Sequence, residues 1–208
     1  MSSRWGPLEA LTGAWEGTCG IDWAYSHAKG ELVRTPFHER MVCVPFGPIL
    51  NGRQHLHGLD CRSAMWRADD PVPFHAEVGY WLWDGDSGEI LRCFVVRRGI
   101  TVLAGGSAQA GAHRFTLAAS KGDPVYSIAE NRYLTRRARS HSYRLTVEVH
   151  PDDTWSYDAV TRLELDEVPA PFDHTDRNTL HRAREPWVDA AAEADGFADR
   201  QVTGPAAR

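Results

Sequence analysis

Residues 74–107 read FHAEVGYWLWDGDSGEILRCFVVRRGITVLAGGS. Three runs in it, Phe74 to Trp83, Glu89 to Arg97 and Ile100 to Ser107, alternate apolar and polar side chains and lack the apolar spacing of a helix. Between them stand Asp84-Gly85-Asp86-Ser87-Gly88 and Arg98-Gly99, residues that tolerate positive φ or open a turn. Connections this short pair each strand with the next one, antiparallel.

The pattern extends in both directions. Upstream lie Trp15 to Gly20, Glu39 to Phe46 and Gln54 to Trp66; downstream lie His113 to Ala119, Ser140 to His150, Thr154 to Glu164 and His174 to His181. Ala110-Gly111 and Pro151-Asp152-Asp153 supply further turns. A meander of about ten strands has two edges to hide, and closure hides both. The expectation is an all-β protein, a ten-stranded antiparallel up-and-down β-barrel around an internal cavity. Two short segments read as helical: Pro7 to Leu11, with proline at a first helical position, and Ser127 to Leu134, where Ser127 and Glu130 have capping-box spacing. After Arg184 the chain turns to Glu, Ala, Asp and Gly, so one folded domain is expected over 4–184 and a flexible tail over 185–208.

Composition narrows the function. A chain of 208 residues that is 42% hydrophobic supports one substantial core. A net charge of −5 offers no basic stripe for nucleic acid. The sequence holds no apolar run of membrane-spanning length and its first residues lack a signal-peptide core, so a cytoplasmic protein without membrane contact is expected. Cys19, Cys43, Cys61 and Cys93 have no C-x-x-C spacing and read as small buried hydrophobes rather than disulfide partners. Most of the eight tryptophans read as core, although indoles also suit the wall of a ligand cavity.

Hydrolase elbows, phosphate-cradling glycine loops and dinucleotide fingerprints are missing from the sequence. Its histidines carry the chemical interest. On a strand, His75, Glu77 and Gly79 share one face, and Phe74, Ala76, Val78 and Tyr80 the other. His75 is then either a core histidine bonded to Glu77 or part of a site. His55 and His57 point the same way and read either as surface residues or as metal ligands with Asp60 or His75. If His174 faces inward, so do Asp176 and Asn178, giving a polar wall.

Three motifs resemble the nitrobindin-like branch of the fatty-acid-binding-protein-like β-barrels. Gly13-Ala14-Trp15-Glu16-Gly17 is similar to that family's Gly-x-Trp-x-Gly-x-Gly opening. Cys19 stands where its last glycine belongs, with Gly20 following, which implies a bulge or an altered rim at that point. Pro73 to Trp81 resembles the His-Ala-Glu-x-Gly-aromatic strand whose histidine lies on the distal side of haem, and His75 is the matching position. Phe172 to Arg182 resembles the closing strand that supplies the fifth ligand to ferric haem. Aligning Thr179-Leu180 brings His174 to the ligand position, while a one-residue slip brings Thr175 there. A group of bacterial haem-binding barrels resembles the chain still more, through Glu77 to Asp84 and His174 to Leu180.

The resemblance implies a haem b site with His174 as the metal ligand and Phe74 and His75 over the open side. Arg137 or Arg139 would lie near the propionates, and His75 with Glu77 would form the acid–base pair of any catalysis. It also implies binding of nitric oxide and isomerisation of peroxynitrite. A haem-free carrier of an apolar or amphipathic small molecule is the alternative, and a cofactor-free enzyme using His174, Asp176, Asn178 and His75 a third. The expected partner is a small-molecule ligand in the cavity of a monomer or homodimer.

Overall fold

The computed structural model describes residues 4–67 and 70–184. Expectations for 185–208 therefore lie outside the described residues. A 3-10 turn, Gly6–Leu11, opens the chain with Pro7 in its first turn, as its sequence suggests. Eleven strands follow: β1 Gly13–Ser26, β2 Glu31–Asn51, β3 Gln54–Arg67, β4 His75–Asp84, β5 Glu89–Val96, β6 Ile100–Ser107, β7 Arg114–Ser120, β8 Ile128–Glu130, β9 Ala138–Val149, β10 Trp155–Leu165 and β11 Phe172–Arg182. One helix, α1 Arg132–Arg137, precedes β9.

Ten of the strands form a closed ring. The order β5-β4-β3-β2-β1-β11-β10-β9-β7-β6 returns to β5 through the β5–β6 pairing, and β8 adds three residues on β6. Every pairing is antiparallel and joins chain neighbours, apart from the closing seam of β1 with β11 and the place where β8 is bypassed. The barrel inferred from alternation and turn chemistry is the one observed.

Differences lie in the details. β1 and β2 run well past the expected ends, because Asp22 to Ser26 pair with Glu31 to Thr35. The segment 127–134 is split rather than helical throughout. Ile128 is buried and pairs with Val102, so Ile128–Glu130 joins the sheet. Asn131 caps α1 by accepting from the backbone N–H groups of Tyr133 and Leu134 at 2.9 and 3.1 Å. Glu130 accepts instead from the Ser140 backbone N–H and pairs with Lys121. The bulge expected near Cys19 is present, since the β1–β2 register shifts between Gly17 and Gly20. The cysteine expectation fails for one pair: Cys43 and Cys61 are register partners on β2 and β3 and form a disulfide, because direct cross-strand pairing brings their Cα atoms to 4.2 Å.

The 3-10 turn plugs one end. Leu8 and Leu11 are fully buried there, and the Trp15 indole donates to the Leu11 carbonyl at 2.9 Å while meeting Trp155 edge to face at 6.0 Å. Trp83 lies beside Gly6, whose missing Cβ leaves room for the indole. No helix among the described residues is long and apolar enough to cross a membrane.

Gly79 marks the tightest strand approach near the cavity: a Cβ there would lie 2.0 Å from the Cys93 carbonyl oxygen and 2.6 Å from the Phe94 Cα. Backbone atoms cannot rotate away as a side-chain end can. Gly79→Ala is therefore expected to destabilise the barrel by about 1–3 kcal/mol, read as a lower urea midpoint; an unchanged midpoint would show that β4 and β5 can separate freely.

Candidate functional site

Side-chain alternation sends one face of every strand into the ring. On β11 the inward residues are Phe172, His174, Asp176, Asn178 and Leu180, and Thr175 takes the opposite face. Of His174 and Thr175, it is His174 that faces the cavity. On β4 the inward set is His75, Glu77 and Trp81, with Val78 and Tyr80 exposed outside. Together they enclose a cavity of about 640 Å³, within the usual range for small-molecule sites.

The cavity has two chemical halves. Toward the β5–β6 turn its wall is mostly apolar, from Phe74, Val96, Ile100, Leu163, Leu165 and Phe172, with Arg97 and Arg98 at the border. Between this wall and the apolar plug lies a belt of polar groups, which pair with each other.

The first cluster spans the closing seam. Asp22 on β1 and Asp176 on β11 are register partners, and both reach His174. His174 Nε2 lies 2.9 Å from Asp22 Oδ1 and 3.4 Å from Asp176 Oδ2. One nitrogen and two carboxylate oxygens thus fall within 4.8 Å of one another. Burial works to lower the His174 pKa, but hydrogen bonds to Asp176 and Asp22, and their charges, outweigh it and push the pKa up to about 10. The imidazole is a cation at neutral pH, clamped between two anions.

A second cluster faces it across the ring, since β4 and β11 stand four strands apart in a ring of ten. Glu77 pairs with the Arg92 guanidinium, which also donates to the Tyr143 hydroxyl. His75 Nε2 lies 3.5 Å from Glu77 Oε2. Burial works to lower the His75 pKa, yet the bond to Glu77 and the charges of Glu77, Asp176 and Glu39 raise it above the ordinary imidazole value. For Glu77 the order is reversed: burial raises its pKa, but Arg92 and then His75 hold it below the usual carboxylate range.

Glu39 on β2 forms the third cluster. It is 1% exposed, and its Oε2 accepts from Tyr157 at 2.8 Å and from Asn178 at 3.2 Å. Gly17 makes this reach possible, because a Cβ there would sit 2.5 Å from Asn178 Nδ2. Burial pushes the Glu39 carboxyl up to about 7, against the opposing hydrogen bonds from Tyr157 and Asn178.

Of the residues the sequence singles out, Phe74, His75, Glu77 and His174 line the cavity. Arg139 does not. It points outward and pairs with Glu164, as Arg137 does with Asp166. The cause is a bulge: Ser142 faces Arg162 and Ser140 faces Leu163, so His141 is the extra residue and the inward face changes parity before Arg139. His55 is exposed beside Asp86, and His57 packs near Trp5; neither lines the cavity. Sequence reading missed Asp22, Glu39, Arg92, Arg97 and Arg98. The turn Arg98-Gly99 was legible as a turn, but nothing local marked its arginine as a cavity residue.

Known proteins resemble this barrel. Residues 4–182 match the family described as THAP4-like, heme-binding beta-barrel domain. A peroxynitrite isomerase from Clavibacter michiganensis subsp. michiganensis is 36% identical over 89 residues, 39% of this chain and 39% of that protein. The crystal structure of Rv2717c from M. tuberculosis superposes with a TM-score of 0.60 at 20% identity, covering 85% of this chain and 95% of that one. That likeness supports the fold alone. The chain belongs to the THAP4-like haem-binding β-barrel family, the nitrobindin-like branch its motifs resemble.

Two outcomes follow from the buried charges. In Asp22→Asn the His174 imidazole loses the charge of its 2.9 Å partner, so its pKa falls from about 10 toward the ordinary 6.5. Histidine-selective NMR titration reads this, and an unmoved titration would contradict the clamp. Glu39 acts in the other sense. Its folded pKa is raised, so the native state binds more protons than the unfolded chain between about 4.5 and 7, and stability falls as pH rises through that window. A shift of that size is worth about 3 kcal/mol. Glu39→Gln is expected to flatten this part of the stability-against-pH curve; a variant curve parallel to wild type would refute it.

Proposed function

We propose that the barrel binds haem b in this cavity, where His174 would hold the iron, and acts on reactive nitrogen species there. The observation that carries the reading is the opposition of His174 and His75 across a cavity of about 640 Å³ whose wall toward the β5–β6 turn is largely apolar. A flat amphipathic macrocycle needs such walls, with a nitrogen donor on one side and a polar group on the other.

The donor set fits the group. His174 Nε2 is committed to the carboxylates, while among the described residues Nδ1 has no hydrogen bond. With the N–H kept on Nε2, Asp22 and Asp176 hold the ring as second partners hold metal-bound imidazoles, and Nδ1 offers its lone pair once its proton leaves. Phe74, Ile100, Leu163 and Phe172 would face the macrocycle, and Arg97 and Arg98 would meet propionates at the border. When bound, ferric haem supplies an iron with an open position that takes nitric oxide or peroxynitrite.

The chain's own residues supply the rest. His75, whose pKa Glu77 raises, would stand on the open side as a hydrogen-bond donor. Arg92 keeps Glu77 ionised, so the His75–Glu77 pair can give and regain a proton without leaving a bare buried charge. Isomerisation of peroxynitrite to nitrate needs no net proton, and such a pair suits it. The activity named for the Clavibacter relative supports this choice.

A second reading, a haem-free carrier of a small amphipathic molecule, draws on the clamp itself. Two carboxylates beside His174 make that wall more polar than a porphyrin face requires. Hemin titration separates the two. The haem reading predicts a Soret band saturating at one hemin per chain in wild type and lost or weakened at least about tenfold in His174→Ala; no saturable band in wild type would overturn it in favour of the carrier.

A further inference from the structure

Two polar atoms of the cavity wall bond to nothing. Glu39 Oε1 and Trp155 Nε1 are both buried without a hydrogen-bond partner, and both side chains line the cavity. Tyr157 adjoins both: its hydroxyl donates to Glu39 Oε2, and its ring lies 6.1 Å from the Trp155 ring, centroid to centroid. Buried polar groups are seldom left unpaired in native proteins. Orphans on a cavity wall mark the place where a ligand completes the bonding.

Their chemistry decides the polarity of that ligand. An indole N–H can only donate. Glu39 Oε2 already accepts from Tyr157 and Asn178, so a proton on this carboxyl belongs on Oε1, which then donates as well. Burial pushes this carboxyl up to about 7, so a large share of it is the neutral acid at neutral pH, and an anion beside Oε1 would favour that form further. An ammonium group would bring donors to donors, and a hydrocarbon would leave both orphans unpaired. An acceptor satisfies both, and His75, a further ring N–H donor, lines the same cavity.

The geometry points to a subsite between Glu39 and Trp155 that binds the oxygen atoms of a small oxyanion of the nitrite or nitrate kind. This deepens the reactive-nitrogen reading and rests on it for the class of ligand. Glu39 and Trp155 are then the groups that hold substrate or product oxygen at the plugged end, away from the apolar half.

The test is a nitrite titration of the haem-free protein followed by the indole N–H signals in ¹H–¹⁵N NMR, with the Trp155 signal identified by its loss in Trp155→Phe. A saturable shift of that signal is expected in wild type. It should persist in Glu39→Gln, whose amide still donates, and weaken by about tenfold or more in Glu39→Leu, the other indole signals reporting that the variant is folded. No saturable shift in wild type, or an equal affinity in Glu39→Leu, would overturn the subsite. Hemin titration of the same samples keeps the two ideas apart. Hemin binding without a nitrite shift removes the subsite alone, and a nitrite shift without hemin binding upholds the subsite and removes haem.

Discussion

Ionisable groups sealed inside a barrel must neutralise one another, and this constraint organises the molecule. Asp22 and Asp176 are set against His174, and Glu77 against Arg92 and His75. Asp22–His174 joins β1 to β11 across the barrel seam and Glu77–Arg92 joins β4 to β5, so these charges add to the closure that the backbone ladder begins. Removing one member would strand a partner in a poorly solvated interior, a far larger cost than losing an exposed ion pair. Glu39 is the exception that proves informative: lacking a cation, it is driven toward the neutral acid instead.

Much of the architecture was legible in the residues. Alternation and turn chemistry gave ten strands in the right order, and the displaced glycine at Cys19 announced a bulge that is present. The same periodicity placed His75 with Glu77, and His174 with Asp176 and Asn178, on common faces. What alternation cannot do is cross a bulge. One extra residue at His141 reversed the parity and turned Arg139 outward to Glu164. Nor could the segment at Ile128–Glu130 be read locally, since the uncovered edge of β6 that draws it into the sheet lies about 26 residues earlier in the chain. The Cys43–Cys61 pairing depends likewise on the register of two whole strands.

The candidate site was only half visible for the same reason. Asp22, Glu39 and Arg92 belong to no motif; they matter because closure brings β1, β2 and β5 around one space. The division of that space is also a product of topology. Inward residues near the β5–β6 turn are largely apolar, those at the plug are apolar too, and a polar belt lies between them. An amphipathic cofactor with a polar reaction partner beneath it suits such layering, whereas a simple lipid would leave the polar belt unused. The family to which the chain belongs and the opposed histidines converge on the same account.

The central claim is that His174 offers one ring nitrogen to iron while its other stays in the carboxylate clamp. A crystal structure of the hemin-loaded protein tests this most directly. The account predicts an electron-dense macrocycle in the apolar half, iron bonded to His174, and the opposite imidazole nitrogen still within hydrogen-bond reach of Asp22 or Asp176. Hemin held elsewhere, or seated in the cavity with His174 turned away from the iron, would contradict it.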